Sequence, residues 1–244
     1  MCGRFVSSSP PDEIARYFDA QPPEASLEPN WNVAPTNDIY VVTVDGGVRR
    51  LEPRHWGLVP FWAKSPAIGN KMINARSEGL AEKNAFKHAF RKRRCIVPAD
   101  GFYEWQKVPG QKTKQPYFIQ RTDHEPLAFA GLWEEWRGPE RDGEQRLRSA
   151  TIITTAANET MAPVHDRMPV LLPPTAWDAW LDPGNADLET LGRLLVPAPP
   201  QILTMHPVST EVGNVRNRGP QLVHPLEADR SADGTDHGGE HRAV

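Results

Sequence analysis

Residues 94–105 read RCIVPADGFYEW. An apolar stretch with β-branched Ile96 and Val97 runs into Ala99-Asp100-Gly101 and resumes with Phe102, Tyr103, Glu104 and Trp105. Short apolar or aromatic runs bounded by turn residues predict strand, turn, strand. The pattern recurs on both sides. IYVVTVDGGVRRLEP (39–53) predicts a strand, a turn at Asp45-Gly46-Gly47 and a returning strand. Further strands are expected at PYFIQR (116–121), PLAFAGLWEEW (126–136), ATIITT (150–155), MPVLL (168–172) and QILTMHPV (201–208).

Helices are few. SSPPDEIARYF (8–18) predicts one, with Ser9 as cap, Pro10 in the first turn, and Ile14, Tyr17 and Phe18 on one face. AEKNAFKHAFRKRR (81–94) predicts another, with Phe86, Ala89 and Phe90 inward and basic residues outward. PPTAWDAWL (173–181) and ADLETLGRLL (186–195) read as short amphipathic helices. Many strands, few helices and no strand–helix alternation predict an α+β fold: one domain with a curved, barrel-like, mostly antiparallel sheet and short peripheral helices. The domain is expected to span 1–225, with a disordered acidic tail at 226–244.

The 244 residues, 39% hydrophobic and 24% charged, suffice for a buried core. No apolar run approaches the ~18 residues of a membrane span, and MCGRFVSSSPPDE lacks a signal-peptide core. A cytoplasmic protein, nucleoid-associated in a bacterium, is expected. The tail carries five acids and two arginines, which accounts for the whole net charge of −3. A polyanion would therefore meet a local basic patch on a body that is neutral overall. Two cysteines, Cys2 and Cys95, do not make a disulfide framework, although a bridge between them stays open. No metal-ligand spacing occurs, so no metal or cofactor is expected.

Four places set reactive side chains beside apolar sequence. MCGRF (1–5) puts Cys2 next to Arg4. Once Met1 is removed, Cys2 carries an α-amine (about 7.7–8.0) and a thiol (about 8.5) on adjacent carbons. An incidental cysteine in a loose start fits the same letters. In KMINARSEGL (71–80), Asn74 and Arg76 point to one side of an extended stretch; a turn amide and a surface arginine fit equally. Glu104, flanked by Tyr103 and Trp105, suits proton transfer, or faces solvent. In TTAANETMAPVHDRMPVLL (154–172), His165, Asp166 and Arg167 interrupt an apolar segment. Histidine works as acid or base near pH 7, or is structural. Asp166 is positioned to orient it only if the two do not lie in a strand, where neighbours face opposite ways.

Taken in order, MCGRF, WNVAPT (31–36), WGLVPFWAK (56–64), NARSE (74–78), RCIVPADGFYEW, HDRMPV (165–170) and HPVSTEVGNVRN (206–217) resemble the SOS-response-associated peptidase (SRAP) family, over roughly residues 2–225. The resemblance implies a monomeric protein that traps abasic sites in single-stranded DNA, without metal or cofactor. It implies that Met1 is lost by self-processing and that Cys2 forms a thiazolidine with the ring-opened sugar. By position, Glu104 and His165 match the proton-transfer pair, and Asn74 the residue holding the sugar and the terminus. Arg4, Arg76 and Arg167 match phosphate contacts, Thr154 a further backbone contact, and Trp62 a base-stacking aromatic. Without the resemblance Trp62 reads as core. Cys95 is expected to be inert. The basic run Lys87, Arg91, Lys92, Arg93 and Arg94 reads as DNA contact or solvated face.

Three rivals stand beside this expectation. Met-Cys-Gly also opens N-terminal-nucleophile glutamine amidotransferases, whose layered fold needs longer helices. Cys2, His165 and Glu104 also suit a peptidase acting on other proteins. A non-covalent single-strand binding module needs the arginines and the stacking but not the thiol.

Overall fold

A computed structural model describes residues 2–138 and 146–226. The chain first forms β1 (Phe5–Ser7), α1 (Pro11–Tyr17), β2 (Asn30–Val33), β3 (Asp38–Asp45) and β4 (Val48–Trp56). There follow β5 (Asn74–Arg76), α2 (Lys87–Lys92), β6 (Arg94–Ala99), β7 (Gly101–Gln106) and β8 (Gln115–Arg121). The rest adds β9 (Leu127–Arg137), β10 (Arg146–Ala156), β11 (Arg167–Pro169), α3 (Trp177–Leu181), α4 (Leu188–Arg193) and β12 (Leu203–Pro207). Met1 and, apart from Leu226, the expected acidic tail lie outside the described residues. No described helix is long and apolar enough to cross a membrane.

Strands β10, β4, β3, β6 and β9 close into a ring, because β9 pairs back onto β10. The end of β10 also takes β5 in parallel and β11 antiparallel. A second sheet runs β12-β8-β7-β1-β2. Successive residues of the barrel strands alternate between two cores. Tyr40, Val42, Ile96, Ala130 and Ile153 pack beneath the helices. Ile39, Val41, Cys95, Val97, Phe129 and Ile152 pack against the second sheet. Strands covered on both faces read as unbroken apolar runs, which is why the sequence shows little alternation there.

Residues 94–105 make one of the chain's crossings between the two sheets. β6 belongs to the barrel and β7 to the second sheet, so the turn at Asp100 is a crossover and not a hairpin. Asp100 fixes it: its carboxylate accepts the Ser8 and Ser9 backbone N–H groups at 2.6 and 3.0 Å and both serine hydroxyls at 2.9 and 2.6 Å. Ser9 is thereby withdrawn from the capping role expected of it. Pro10 occupies the N-cap instead, and α1 starts with Pro11. The 39–53 hairpin forms as expected, with Gly46 and Gly47 at φ 57° and 79° supplying the left-handed turn.

Two other expectations change. Only Lys87–Lys92 of the 81–94 segment is α-helical, although Phe86, Ala89 and Phe90 are buried as read. Arg94 leaves the basic face altogether. It is 3% exposed and donates to the carbonyls of Phe90 (2.7 Å), Arg91 (2.9 Å), Trp180 (2.6 Å), Asn185 (3.2 Å) and Asp182, closing the ends of α2 and α3. The longest α-helix among the described residues, α1, has seven residues. The amidotransferase alternative, which needs sheets layered between long helices, therefore does not fit this architecture.

Cys2 and Cys95 are both free and fully buried in the core against the second sheet. Burial pushes both thiols well above their ordinary value, and the Glu104 carboxylate adds to the rise at Cys2. Above an ordinary thiol value near 9.0 the unfolded chain releases protons that the folded chain keeps. Stability present below that pH is therefore lost as pH rises, by about 1.4 kcal/mol per pH unit for each thiol. Urea unfolding should approach this slope only above about pH 9, and Cys95→Ala should remove one thiol's share of it.

Candidate active site

Cys2 lies inside the molecule. β1 lies between β2 and β7, with Phe5 opposite both Val33 and Phe102. The Tyr103 N–H adds a bond to the Arg4 carbonyl at 2.9 Å. A first strand held on both edges does not fray as most termini do. Cys2, just before it, belongs to the buried core that also holds Trp56, Val97, Met161 and Met168, and is 0% exposed. That removes the loose-start reading of Cys2.

Two side chains reach this residue from separate elements. Asn74, at the head of β5, donates from Nδ2 to the Cys2 carbonyl at 2.8 Å. Its Oδ1 is buried with no hydrogen-bond partner among the described residues, an acceptor left over at the site. Glu104 comes from β7. Continuing the antiparallel Phe5–Phe102 register brings it opposite Gly3, on the same face as Phe102, which packs in the Cys2 core. Glu104 is 3% exposed and close enough for its charge to raise the Cys2 thiol further. Together with burial this favours the protonated sulfur.

His165 lies just before β11, outside any strand, so the rule that neighbours face apart does not apply. Its Nδ1 accepts the Arg167 N–H at 3.0 Å and also stands 2.8 Å from Asp166 Oδ1. One nitrogen cannot serve both at once. Neutral, with the proton on Nε2, it accepts from Arg167; protonated on Nδ1, it donates to Asp166. Each protonation state has a partner waiting, which suits a group that takes and returns a proton.

Arg167 is 12% exposed, with Nη1 and Nη2 on the two oxygens of Glu78 at 2.6 and 2.9 Å. Nη2 also reaches the Thr154 carbonyl at 2.6 Å. Hydrogen bonding from Arg167 holds the Glu78 carboxyl down to about 2. Thr154 is buried in β10, its carbonyl also taking the Ser77 N–H at 2.8 Å. Arg76 is exposed on β5, and its side chain makes no hydrogen bond or ion pair among the described residues. Arg4 is half-buried. It donates to Asn32 Oδ1 and the Val212 carbonyl, both at 2.9 Å, with its guanidinium 6.0 Å from the Trp105 ring.

Trp62 is 49% exposed on the loop after β4, so the core reading of it does not hold. Phe61 beside it is 51% exposed and packs at 5.2 Å from the His88 ring. The two aromatics line a pocket of about 410 Å³ with Asn84, Lys87 and His88. Of the basic run, Lys87 thus joins the aromatic shelf, while Arg93 pairs with buried Glu134.

Sequence reading missed Phe61, Glu78 and Asn32. All three sit inside the matching blocks WGLVPFWAK, NARSE and WNVAPT. Asn32 is 1% exposed, and its Nδ2 donates to the carbonyls of Val212, Asn214 and Asn217 at 3.1, 3.1 and 2.9 Å. It ties the block HPVSTEVGNVRN to the strand beside β1.

A family model described as SOS response associated peptidase (SRAP) matches residues 1–215. The abasic site processing protein YoqW of Bacillus subtilis is 43% identical over 225 residues, covering 91% of this chain and 99% of that one. The abasic site processing protein YedK of Escherichia coli is 34% identical, covering 93% and 100%. The abasic site processing protein HMCES of Xenopus tropicalis is 33% identical, covering 91% and 78%. A crystal structure of a Bacteroides thetaiotaomicron protein shares the fold with a TM-score of 0.82, at 23% identity over 93% of this chain and all of that one.

Proposed function

Since the chain belongs to the SOS response associated peptidase (SRAP) family, we propose that it captures abasic sites in single-stranded DNA as a covalent adduct of Cys2. The observation that carries this reading is a second residue buried in the core, its carbonyl held by Asn74 and its thiol beside Glu104. A nucleophile meant to act from the chain terminus suits such a setting.

Removal of Met1, by the chain itself, exposes the α-amine of Cys2. The amine adds to the C1 aldehyde of the ring-opened deoxyribose, and loss of water gives an imine. The thiol of the same residue then adds to the imine carbon. Its proton leaves sulfur and the former imine nitrogen gains one, closing a five-membered thiazolidine. The second step is intramolecular, so its effective concentration is very large. Because the thiol is held protonated, ring closure needs a base, and Glu104 is placed to take that proton. His165, with a partner for each protonation state, serves ring opening and loss of water from the carbinolamine. The unpartnered Oδ1 of Asn74 receives a donor from the freed amine or the sugar. Arg76 and Arg167 hold flanking phosphates. Trp62 carries a neighbouring base, a contact worth roughly 1–3 kcal/mol and tolerant of sequence. Arg4 acts mainly through the joint it makes with Asn32 and Val212, which seats β1.

Intact mass after incubation with single-stranded DNA bearing one abasic site tests the proposal. The expected species has lost Met1 and gained the DNA less one water. A chain that retains Met1 and still forms the adduct would contradict it.

A further inference from the structure

The guanidinium fork of Arg167, one of the groups assigned above to a DNA phosphate, is already filled. Both oxygens of Glu78 take its Nη1 and Nη2, and the Thr154 carbonyl takes Nη2 from the other side. The two partners differ in access. The Arg167 side chain is 12% exposed, whereas that of Glu78 is 61% exposed and forms the outer member of the pair. Carboxylate and phosphate fit a guanidinium fork in the same bidentate geometry. An incoming phosphate must therefore take the place of the Glu78 carboxylate, or leave Arg167 unused.

We propose that Glu78 is a carboxylate gate: it occupies the phosphate position of Arg167 in the free protein and is exchanged for a DNA phosphate on binding. This rests on the abasic-site reading, but adds a residue and a step to it. Three consequences follow from the charges. In the free protein the pair is neutral, so Arg167 adds little to the long-range attraction of nucleic acid, leaving Arg76 as the open cation beside Asn74. Exchange is close to balanced, one bidentate anion for another, and so favours only a strand whose phosphate is presented in register. It also frees a negative charge beside the DNA, which speeds departure of strands that never react.

The structure supplies the hinge. Glu78 follows β5, whose three residues are held on β10, and the Ser77 N–H is bonded to the Thr154 carbonyl. Gly79, at φ 74°, comes directly after it. The Glu78 side chain can swing outward while Asn74 and Arg167 keep their backbone positions.

The test separates gating from mere support. Binding is measured with single-stranded DNA carrying one tetrahydrofuran residue, which has no aldehyde and cannot react. Crosslinking is measured with a true abasic site at saturating DNA. Glu78→Gln keeps the shape and removes the competing charge. It should tighten binding to the analogue by roughly twofold to tenfold and steepen the dependence of log K on log salt by about 0.7, the slope of one phosphate on a single strand, because the wild-type exchange leaves a bare carboxylate that cancels the charge Arg167 neutralises. The crosslinking rate at saturation should not change. In an Arg167→Ala background, Glu78→Gln should have neither effect on affinity nor on salt slope beyond the loss of local charge. Weaker binding by Glu78→Gln, or a slower saturated rate, would show that Glu78 holds Arg167 in its working place and would overturn the gate; unchanged affinity and slope would overturn it too. If wild-type protein binds the analogue and responds to Glu78→Gln as stated, yet forms no adduct with the true abasic site, the gate stands and the covalent reading fails.

Discussion

Cys2→Ser and Cys2→Ala abolish the DNA adduct that survives denaturant, to background, while binding to a tetrahydrofuran-containing strand stays within about twofold. The first expectation follows from the two-nucleophile scheme. Without sulfur the α-amine can still form an imine, which hydrolyses on denaturation because no second bond forms at the same carbon. Borohydride, which reduces an imine to a stable amine, should recover an adduct from whatever fraction of the variant has lost Met1. Intact mass reports that fraction. The second expectation follows from burial: Cys2 is 0% exposed, so its side chain adds no surface to a non-covalent contact with the strand.

Two variants are needed because of the surroundings. Serine places a hydroxyl in an apolar, fully buried core, and a buried hydroxyl without a partner costs about 1–3 kcal/mol. Alanine leaves a small cavity but no unmatched polar atom. A loss of adduct common to both is chemical; a loss confined to serine is a stability effect. A non-covalent binding module predicts no difference from wild type in any of these measurements. A denaturant-resistant adduct formed by either variant without borohydride would refute the thiazolidine scheme.

How much of this was legible in the sequence differs from element to element. The strands were readable where β-branched and aromatic runs met Gly or Pro, as in 39–53 and 126–136. A three-residue strand such as β1 carries too short a pattern to register, whereas β11 (Arg167–Pro169) was read through the run MPVLL, displaced toward its C-terminal end. What residues 94–105 could not reveal was that β6 and β7 join different sheets. A turn between two strands looks the same whether they pair or part, and the difference is made by Ser8 and Ser9, about ninety residues away, on the Asp100 carboxylate. Arg94 read as part of a basic face because its neighbours do face water. Its burial is decided by carbonyls of α3, which local sequence does not contain. At the site, Cys2, Asn74, Glu104 and His165 stood out as polar letters in apolar runs. Glu78 did not, because an acidic residue before a glycine looks like ordinary surface until its partner, Arg167, is seen eighty-nine positions on.

Glu104→Gln slows adduct formation by on the order of 10²–10⁴ near neutral pH, the range of a positioned acid–base group, and leaves binding to the unreactive analogue unchanged. The sign of this effect decides between two roles that the geometry allows. Burial first, and then the Glu104 charge, push the Cys2 thiol up. Were Glu104 only a neighbour that suppresses the thiolate, removing its charge would lower the thiol toward its ordinary value. Capture would then become faster, most visibly above neutral pH. If instead Glu104 takes the sulfur proton during ring closure, the same substitution removes the acceptor and capture slows. Gln matches Glu in size and keeps an oxygen in the pocket, so the packing around Phe102 and Cys2 is preserved and the charge is the variable tested. The slowed variant should also regain rate as pH rises, because thiolate formed in solution equilibrium replaces the lost base, so the ratio of wild-type to variant rate narrows between about pH 7 and 9. A Glu104→Gln protein that crosslinks faster than wild type at every pH would assign Glu104 to thiol suppression and leave ring closure without the base proposed for it.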